Sequence, residues 1–201
     1  MSLRHSYTLL APFYDSILAR PLNSARKKSI QNIKGSTGKQ ILINGIGTGL
    51  DIPYLPVDAQ YTGTDITPAM LNIAQHRASD HAVNINLVCA DSQALPFNND
   101  QFDIVIMHLI LAVVPRPEIA LQEASRILKA GGHIYILDKF LKPGEFAPMR
   151  KFLNLFIRHI ATRTDVVFEQ TLSHCPSLAT ISDEPVLANG WFRLIELKKI
   201  S

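Results

Sequence analysis

Three glycines at alternate positions, Gly45, Gly47 and Gly49, follow the apolar run of Ile41, Leu42 and Ile43 in ILINGIGTGL. Glycine permits a positive φ and lets a ligand approach the backbone closely. The start of a following helix offers free N–H groups to a carboxylate or phosphate. Such a turn can also serve packing alone, so the acids downstream decide its reading. Asp65 stands 20 residues after Gly45 in YTGTDI, where a carboxylate can accept both hydroxyls of a ribose. Asp91 closes the next apolar run, LVCAD, and brings a second acid to the same crevice. The spacing G-x-G-x-G departs from the dinucleotide pattern G-x-G-x-x-G. Tyr135 and Lys139 in YILDK match a Tyr-x-x-x-Lys pair, but in a strand residues four apart are separated by about 13 Å. That excludes the helical pairing hydride transfer would need.

These residues need elements to hold them. KQILIN, AQYTGTDI, VNINLVCAD, QFDIVIMHLI and HIYILDKF read as five strands. A short helix follows the glycine turn. A second covers TPAMLNIAQHRASD, with Thr67 as cap, Pro68 in its first turn and Met70, Leu71, Ile73 and Ala74 as its apolar face. A third runs through RPEIALQEASRILKAGG and is expected to stop at Gly131. Strands and helices in alternation predict a parallel sheet covered on both faces, with ligands at the carboxyl ends of the strands. LATISDEPVLANGWFRLIELKK offers two further β-rich runs around Asn189 and Gly190, a terminal hairpin.

With 201 residues, 47% hydrophobic and 18% charged, the chain reads as a single soluble domain. Its net charge of +3 fits anionic substrates or a membrane surface and demands neither. Lys and Arg are too dispersed for a dedicated nucleic-acid binder. Cys89 and Cys175 form no C-x-x-C motif, which points to a reduced intracellular setting. The N-terminus lacks the apolar core of a signal peptide, and IVIMHLILAVV is too short to span a bilayer. The histidines show no metal-ligand spacing, so no metal is expected.

Taken together, the motifs resemble the class I S-adenosylmethionine-dependent methyltransferases over about residues 7 to 142. ILINGIGTG is similar to the family's first motif, GTDITPAMLNIAQHRA to the second, LVCADSQALPFNNDQFDIVIMHLIL to the third and fourth, and EASRILKAGGHIYILDKF to the helix and strand beyond. The resemblance implies an α/β, Rossmann-like doubly wound sheet of seven mostly parallel strands with a C-terminal antiparallel hairpin, and S-adenosylmethionine as cofactor. It places Gly45, Ile46, Gly47, Thr48 and Gly49 against the methionyl part, Asp65 on the ribose, and Ile66 and Met70 against the adenine. Asp91 would take the adenine amino group with Ser92 beside it, and His108 would face the cofactor just past the fourth strand. YTLLAPFYD resembles the family's amino-terminal segment and sets Tyr7 and Tyr14 over the pocket. Tyr7, Tyr14 and His108 are the candidates for orienting the acceptor, His108 also as a base. Asp138 and Lys139 are read as paired with their neighbours.

One departure stands out. Where the family ends its first strand with an acid that helps hold the cofactor's ammonium, this chain has Ile43, and Asn44 should point to the other face. Asp51 or a backbone carbonyl is then expected to substitute, or affinity to fall. GIGTGLDIPYLP, LILAVVPRPEIAL and DKF are most similar to bacterial phosphatidylethanolamine N-methyltransferases and related small phospholipid methyltransferases. Ubiquinone/menaquinone C-methyltransferases are the alternative branch, and a cofactor-binding pseudoenzyme is the non-catalytic one. MHLI lacks the motif of adenine methylation in nucleic acid. The expected organisation is one domain, 1–201: cap helices over 1–35, a cofactor core over 36–141, a helical lid or substrate segment over 142–175, and the hairpin over 176–201. In FAPMRKFLNLFIRHIATR, Met149, Phe152, Leu153, Phe156, Ile157 and Ile160 share one helical face opposite Arg150, Lys151, Arg158 and His159. Such a helix either lies on anionic lipid or packs as a lid. The charge run with Arg26, Lys27 and Lys28 reads as a solvated helix face or a lipid contact. Expected partners are a small-molecule or lipid substrate, with peripheral contact to an anionic membrane from the cytoplasmic side.

Overall fold

Side chains along the central strands alternate between two cores. Leu42, Val105, Met107, Ile134 and Ile136 pack with Ala120, Leu121, Ala124 and Ile127. Ile41, Ile43, Ile104, Ile106 and Tyr135 pack with Ile30, Leu71, Ala74 and Ala78. A sheet apolar on both faces must be covered on both, which the helices do. The structure, a computed structural model, describes residues 22–141, 166–187 and 190–200. Tyr7, Tyr14, most of the expected cap, the amphipathic helix around Met149 to Ile160 and the turn residue Asn189 lie outside the described residues.

The helices are α1 (residues 22–31), α2 (Pro68–Asp80), α3 (Pro117–Ile127) and α4 (Phe168–Leu172). The strands are β1 (Gln40–Asn44), β2 (Gln60–Asp65), β3 (Ile85–Cys89), β4 (Phe102–His108), β5 (Leu128–Lys139), β6 (Leu178–Leu187) and β7 (Phe192–Lys199). They form one seven-stranded sheet in the order β3-β2-β1-β4-β5-β7-β6. β1 to β5 run parallel, and β7 is antiparallel to both β5 and β6. The order reverses between β1 and β4, so the crevice for a ligand opens beyond Asn44 and His108. This is the expected Rossmann-like α/β fold with its terminal hairpin. The short helix expected after the glycine turn is a single 3-10 turn, Ile52–Tyr54.

Two local expectations differ. α3 stops at Ile127 and β5 begins at once with Leu128, so Gly131 does not end the helix. Its positive φ of 76° instead serves an irregular stretch, where Phe102 pairs with Leu128 but Ile104 pairs with His133. Thr67 precedes α2 as expected but makes no side-chain cap bond; its backbone N–H binds Asp65 instead.

Candidate active site

The glycine turn is held in place from three sides. Both Gly45 and Ile46 donate their N–H groups to the Thr64 carbonyl, at 2.9 and 2.8 Å. Gly47 donates to Asp65 Oδ2 at 3.1 Å, and Thr67 donates to Asp65 Oδ1 at 2.9 Å. One carboxylate thereby ties the turn after β1 to the entry of α2. Arg77 reaches back from α2 to the carbonyl and hydroxyl of Thr48. The glycines divide their labour. A Cβ on Gly49 would lie 2.5 Å from Ile52 Cδ1 and 3.2 Å from the Ala74 backbone, so Gly49 serves close packing. A Cβ on Gly47, at φ +56°, would meet nothing within 4 Å. There the bare backbone faces open space.

That space is a cleft of about 230 Å³. Gly45, Ile46, Gly47, Thr48, Asp65, Ile66, Met70, Asp91, Ser92 and His108 all line it, so every expected cofactor residue except Gly49 comes to one wall. Leu50, Thr67 and Gln93 join them, with Leu109, Ile110, Val113, Val114 and Pro115 from the segment after β4 and Arg26 from α1. Asp91 accepts from the backbone and side-chain N–H groups of Gln93, at 2.9 and 3.1 Å. Burial raises the Asp65 carboxyl above its ordinary value, against the pull of the Thr67 and Gly47 N–H groups. Ser92 and Thr64 both donate to Asn44 Oδ1, at 2.7 and 3.2 Å. Ile43 packs in the core on the opposite side, paired with Ile106 across the ladder.

Beneath the cleft lies a polar chain that the sequence reading did not assemble. Asp51 Oδ1 accepts from Arg26 Nη1 and from His108 Nδ1, both at 2.9 Å. His108 Nε2 lies 2.8 Å from the Ser29 hydroxyl. A carboxylate beside Nδ1 requires the proton there, so Nε2 accepts from Ser29. Burial alone would raise the Asp51 carboxyl, but the charge of Arg26 and the hydrogen bonds from Arg26 and His108 hold it well below the usual carboxylate range. Asp51, an expected partner for the cofactor's ammonium, is committed to these bonds and does not line the cleft.

Arg26 was read as part of a solvated or lipid-facing run, and the structure buries it. Leu22, Ala25, Arg26, Ser29, Ile30 and Ile33 are the buried positions of this segment. Their spacing is the i, i+3, i+4, i+7 pattern of a helix face, a signal that could have placed Arg26 inward. The apolar wall after β4 had no such signal. Leu109 adopts φ +59°, uncommon for a residue with a side chain, and its N–H binds the Leu137 carbonyl at 2.8 Å.

That wall is anchored by Asp138. Fully buried at the end of β5, Asp138 accepts from the N–H groups of Ala112 at 3.0 Å and Lys139 at 2.8 Å. Burial pushes its carboxyl up from 3.8 to about 6. The folded state therefore binds this proton more tightly than the unfolded one, and stability should fall as pH rises through that window. At about 1.4 kcal/mol per unit the loss is on the order of 3 kcal/mol. Chemical denaturation between pH 4 and 7 would check this: the downward component should vanish in Asp138→Asn, and an unchanged slope would refute it.

A glycine turn stands at the switch point of a 3-2-1-4-5-7-6 sheet with acids closing the next two strands, and sequence and fold together are those of an S-adenosylmethionine-dependent methyltransferase. A family profile described as a methyltransferase domain matches residues 42–136. Over 189 residues the chain is 25% identical to a phosphatidylethanolamine N-methyltransferase of Cereibacter sphaeroides, covering 92% of each chain. It is 31% identical over 159 residues to the ubiquinone/menaquinone C-methyltransferase UbiE of Coxiella burnetii, and spans 62% of that relative's length. The cyclase SpnF shares the fold, with a TM-score of 0.80 at 16% identity over 99% of this chain and 96% of that one. The residues present fit the cofactor: Gly47 leaves backbone open to the cleft, and the acids of Asp65 and Asp91 stand on its wall.

Proposed function

We propose that the chain transfers a methyl group to the amine of a lipid headgroup of the phosphatidylethanolamine type. The likeness to the Cereibacter sphaeroides enzyme over nearly the whole of both chains carries this reading. The apolar wall of Leu109, Ile110, Val113, Val114 and Pro115 beside the cofactor residues supports it, since it suits an acceptor with apolar character. S-adenosylmethionine supplies a methyl already activated on sulfonium, so the chain's own work is alignment and exclusion of water. Positioning of that kind can supply about 7–11 kcal/mol. Asp65 and Asp91 hold the nucleoside, and the Gly47 backbone admits the methionyl part. Tyr7, Tyr14 and His108 orient the acceptor. His108, with its ring nitrogens on Asp51 and Ser29, acts as a fixed positioning group; an amine arriving neutral needs no strong base.

C-methylation of a quinol ring is the second reading, favoured by the 31% identity to the UbiE relative. It would demand a base at the acceptor. No described helix is long and apolar enough to cross a membrane, and we place the chain at the inner membrane surface by peripheral contact with anionic lipid. Incubation with methyl-labelled cofactor and vesicles of phosphatidylethanolamine and an anionic lipid tests the reading, with a demethylated quinol in parallel. Label is expected in the lipid amine. Label in the quinol alone, or in neither, would overturn it.

A further inference from the structure

We propose that a second cavity, near the amino ends of the strands, binds a phosphate monoester with an apolar body. This cavity of about 450 Å³ has Ile104, His133, Tyr135 and Glu196 as its floor, with Lys34, Lys39 and Lys129 around it. Ile104 pairs with His133 across β4 and β5, and Tyr135 with Glu196 across β5 and β7. His133 and Tyr135 stand two apart on one strand, so all four side chains share one face of the sheet. The cofactor cleft opens beyond Asn44 and His108, at the other end of the same strands, and no residue lines both cavities.

The polar groups around this cavity are unevenly satisfied. Asp103 accepts from Lys129 Nζ at 3.0 Å, lies 3.7 Å from Lys39 Nζ and takes the Gln40 N–H at 2.9 Å. Glu196 takes His133 Nδ1 at 2.7 Å and the Tyr135 hydroxyl at 3.2 Å. Both acids are engaged, whereas Lys34 is exposed and has no partner among the described residues. Three lysines against two carboxylates leave one positive charge unbalanced. With Glu196 on Nδ1, the neutral His133 ring keeps its proton there and leaves Nε2 as an acceptor. That nitrogen has no partner among the described residues and is not sealed from solvent. The cavity therefore offers ammonium donors and an imidazole acceptor together. A carboxylate or sulfate answers only the donors. A phosphate monoester, whose second pKa of about 6 leaves some of it protonated at neutral pH, answers both. Ile104 and Tyr135, each 5% exposed, and Ile181, 54% exposed, supply apolar surface for the body of the ligand. A Cβ on Gly131 would meet nothing within 4 Å, so the backbone there is open as well.

Calorimetric titration of phenyl phosphate into the chain saturated with S-adenosylhomocysteine tests the site. Saturable binding is expected. Inorganic phosphate lacks the apolar body and phenyl sulfate lacks the proton, so each should bind about tenfold more weakly. Lys34→Gln, an exposed change, should weaken phenyl phosphate by about threefold to tenfold. Asp103→Asn keeps an acceptor for the Gln40 N–H but releases two lysine charges, and should tighten binding by about the same factor. Opposite signs from two variants at one cavity are not what a general loss of fold produces. Should Asp103→Asn fail to fold, Lys34→Gln and the phenyl sulfate comparison decide alone. No saturable binding in the millimolar range would overturn the inference, as would affinities unchanged within about twofold in both variants. Binding seen only without S-adenosylhomocysteine would put the anion in the cleft and overturn it too. Phenyl sulfate held as tightly as phenyl phosphate would overturn the phosphate assignment.

Discussion

Replacing Asp65 with alanine is expected to weaken S-adenosylhomocysteine binding by about tenfold to a hundredfold, from the 1.5–3 kcal/mol of hydrogen bonds to a charged group. Two losses combine. The carboxylate proposed to accept the ribose hydroxyls disappears, and so does the brace that holds the Gly47 and Thr67 N–H groups. Adenosine alone should lose affinity by a similar factor, because both losses concern the nucleoside side. A pH series adds a second check. Burial raises the Asp65 carboxyl, so wild-type affinity should begin to fall on acidification at a higher pH than for an ordinary aspartate. Asp65→Ala should lose that dependence. Unaltered binding of S-adenosylhomocysteine would remove Asp65 from the nucleoside site.

The strands were legible because each is an apolar run bounded by turn residues, and burial on both faces leaves that pattern unambiguous. The glycine turn and the acids of Asp65 and Asp91 were legible for a related reason: a doubly wound sheet obliges strand ends to share one crevice. Gly131 misled because an amphipathic run followed by glycine looks alike whether the glycine ends a helix or relieves an irregular strand pairing. The deciding contact is the approach of Gly132 to the Asp103 carbonyl, 2.8 Å from where a Cβ would sit, and it lies far away in sequence. The bonds that join Arg26, Asp51 and His108 escaped for the same cause. These residues are separated by 25 and 57 positions, and no local period links them. A charge beside Lys27 and Lys28 reads as solvent-facing unless the helical period of Leu22, Ala25, Ser29, Ile30 and Ile33 around it is followed. The apolar wall from Leu109 to Pro115 is a loop, held by Asp138 at the end of the neighbouring strand β5 rather than shaped by its own sequence.

Asp51→Ala should be strongly destabilising. It strips the carboxylate from Arg26 Nη1 and His108 Nδ1 together and leaves a guanidinium buried without compensation. Breaking a buried pair from one side costs about 3–5 kcal/mol. At about 2–4 °C per kcal/mol for a chain of this size, Tm should drop by roughly 6–20 °C. Thermal unfolding followed by circular dichroism at pH 7 measures it. Arg26→Met combined with Asp51→Leu should recover much of the loss, because no charge is then left stranded. The sign with pH is fixed by the lowered carboxyl. In the unfolded chain Asp51 titrates near its ordinary 3.8, and in the folded chain well below it. Its stabilisation is therefore fully present above the unfolded value and is lost as pH falls toward the folded one. The gap between wild type and Asp51→Ala should stay constant from about pH 5 to 8 and narrow below about pH 4. A small gap at pH 7, or one that widens in acid, would show that the buried ion pair does not hold α1 against the glycine turn.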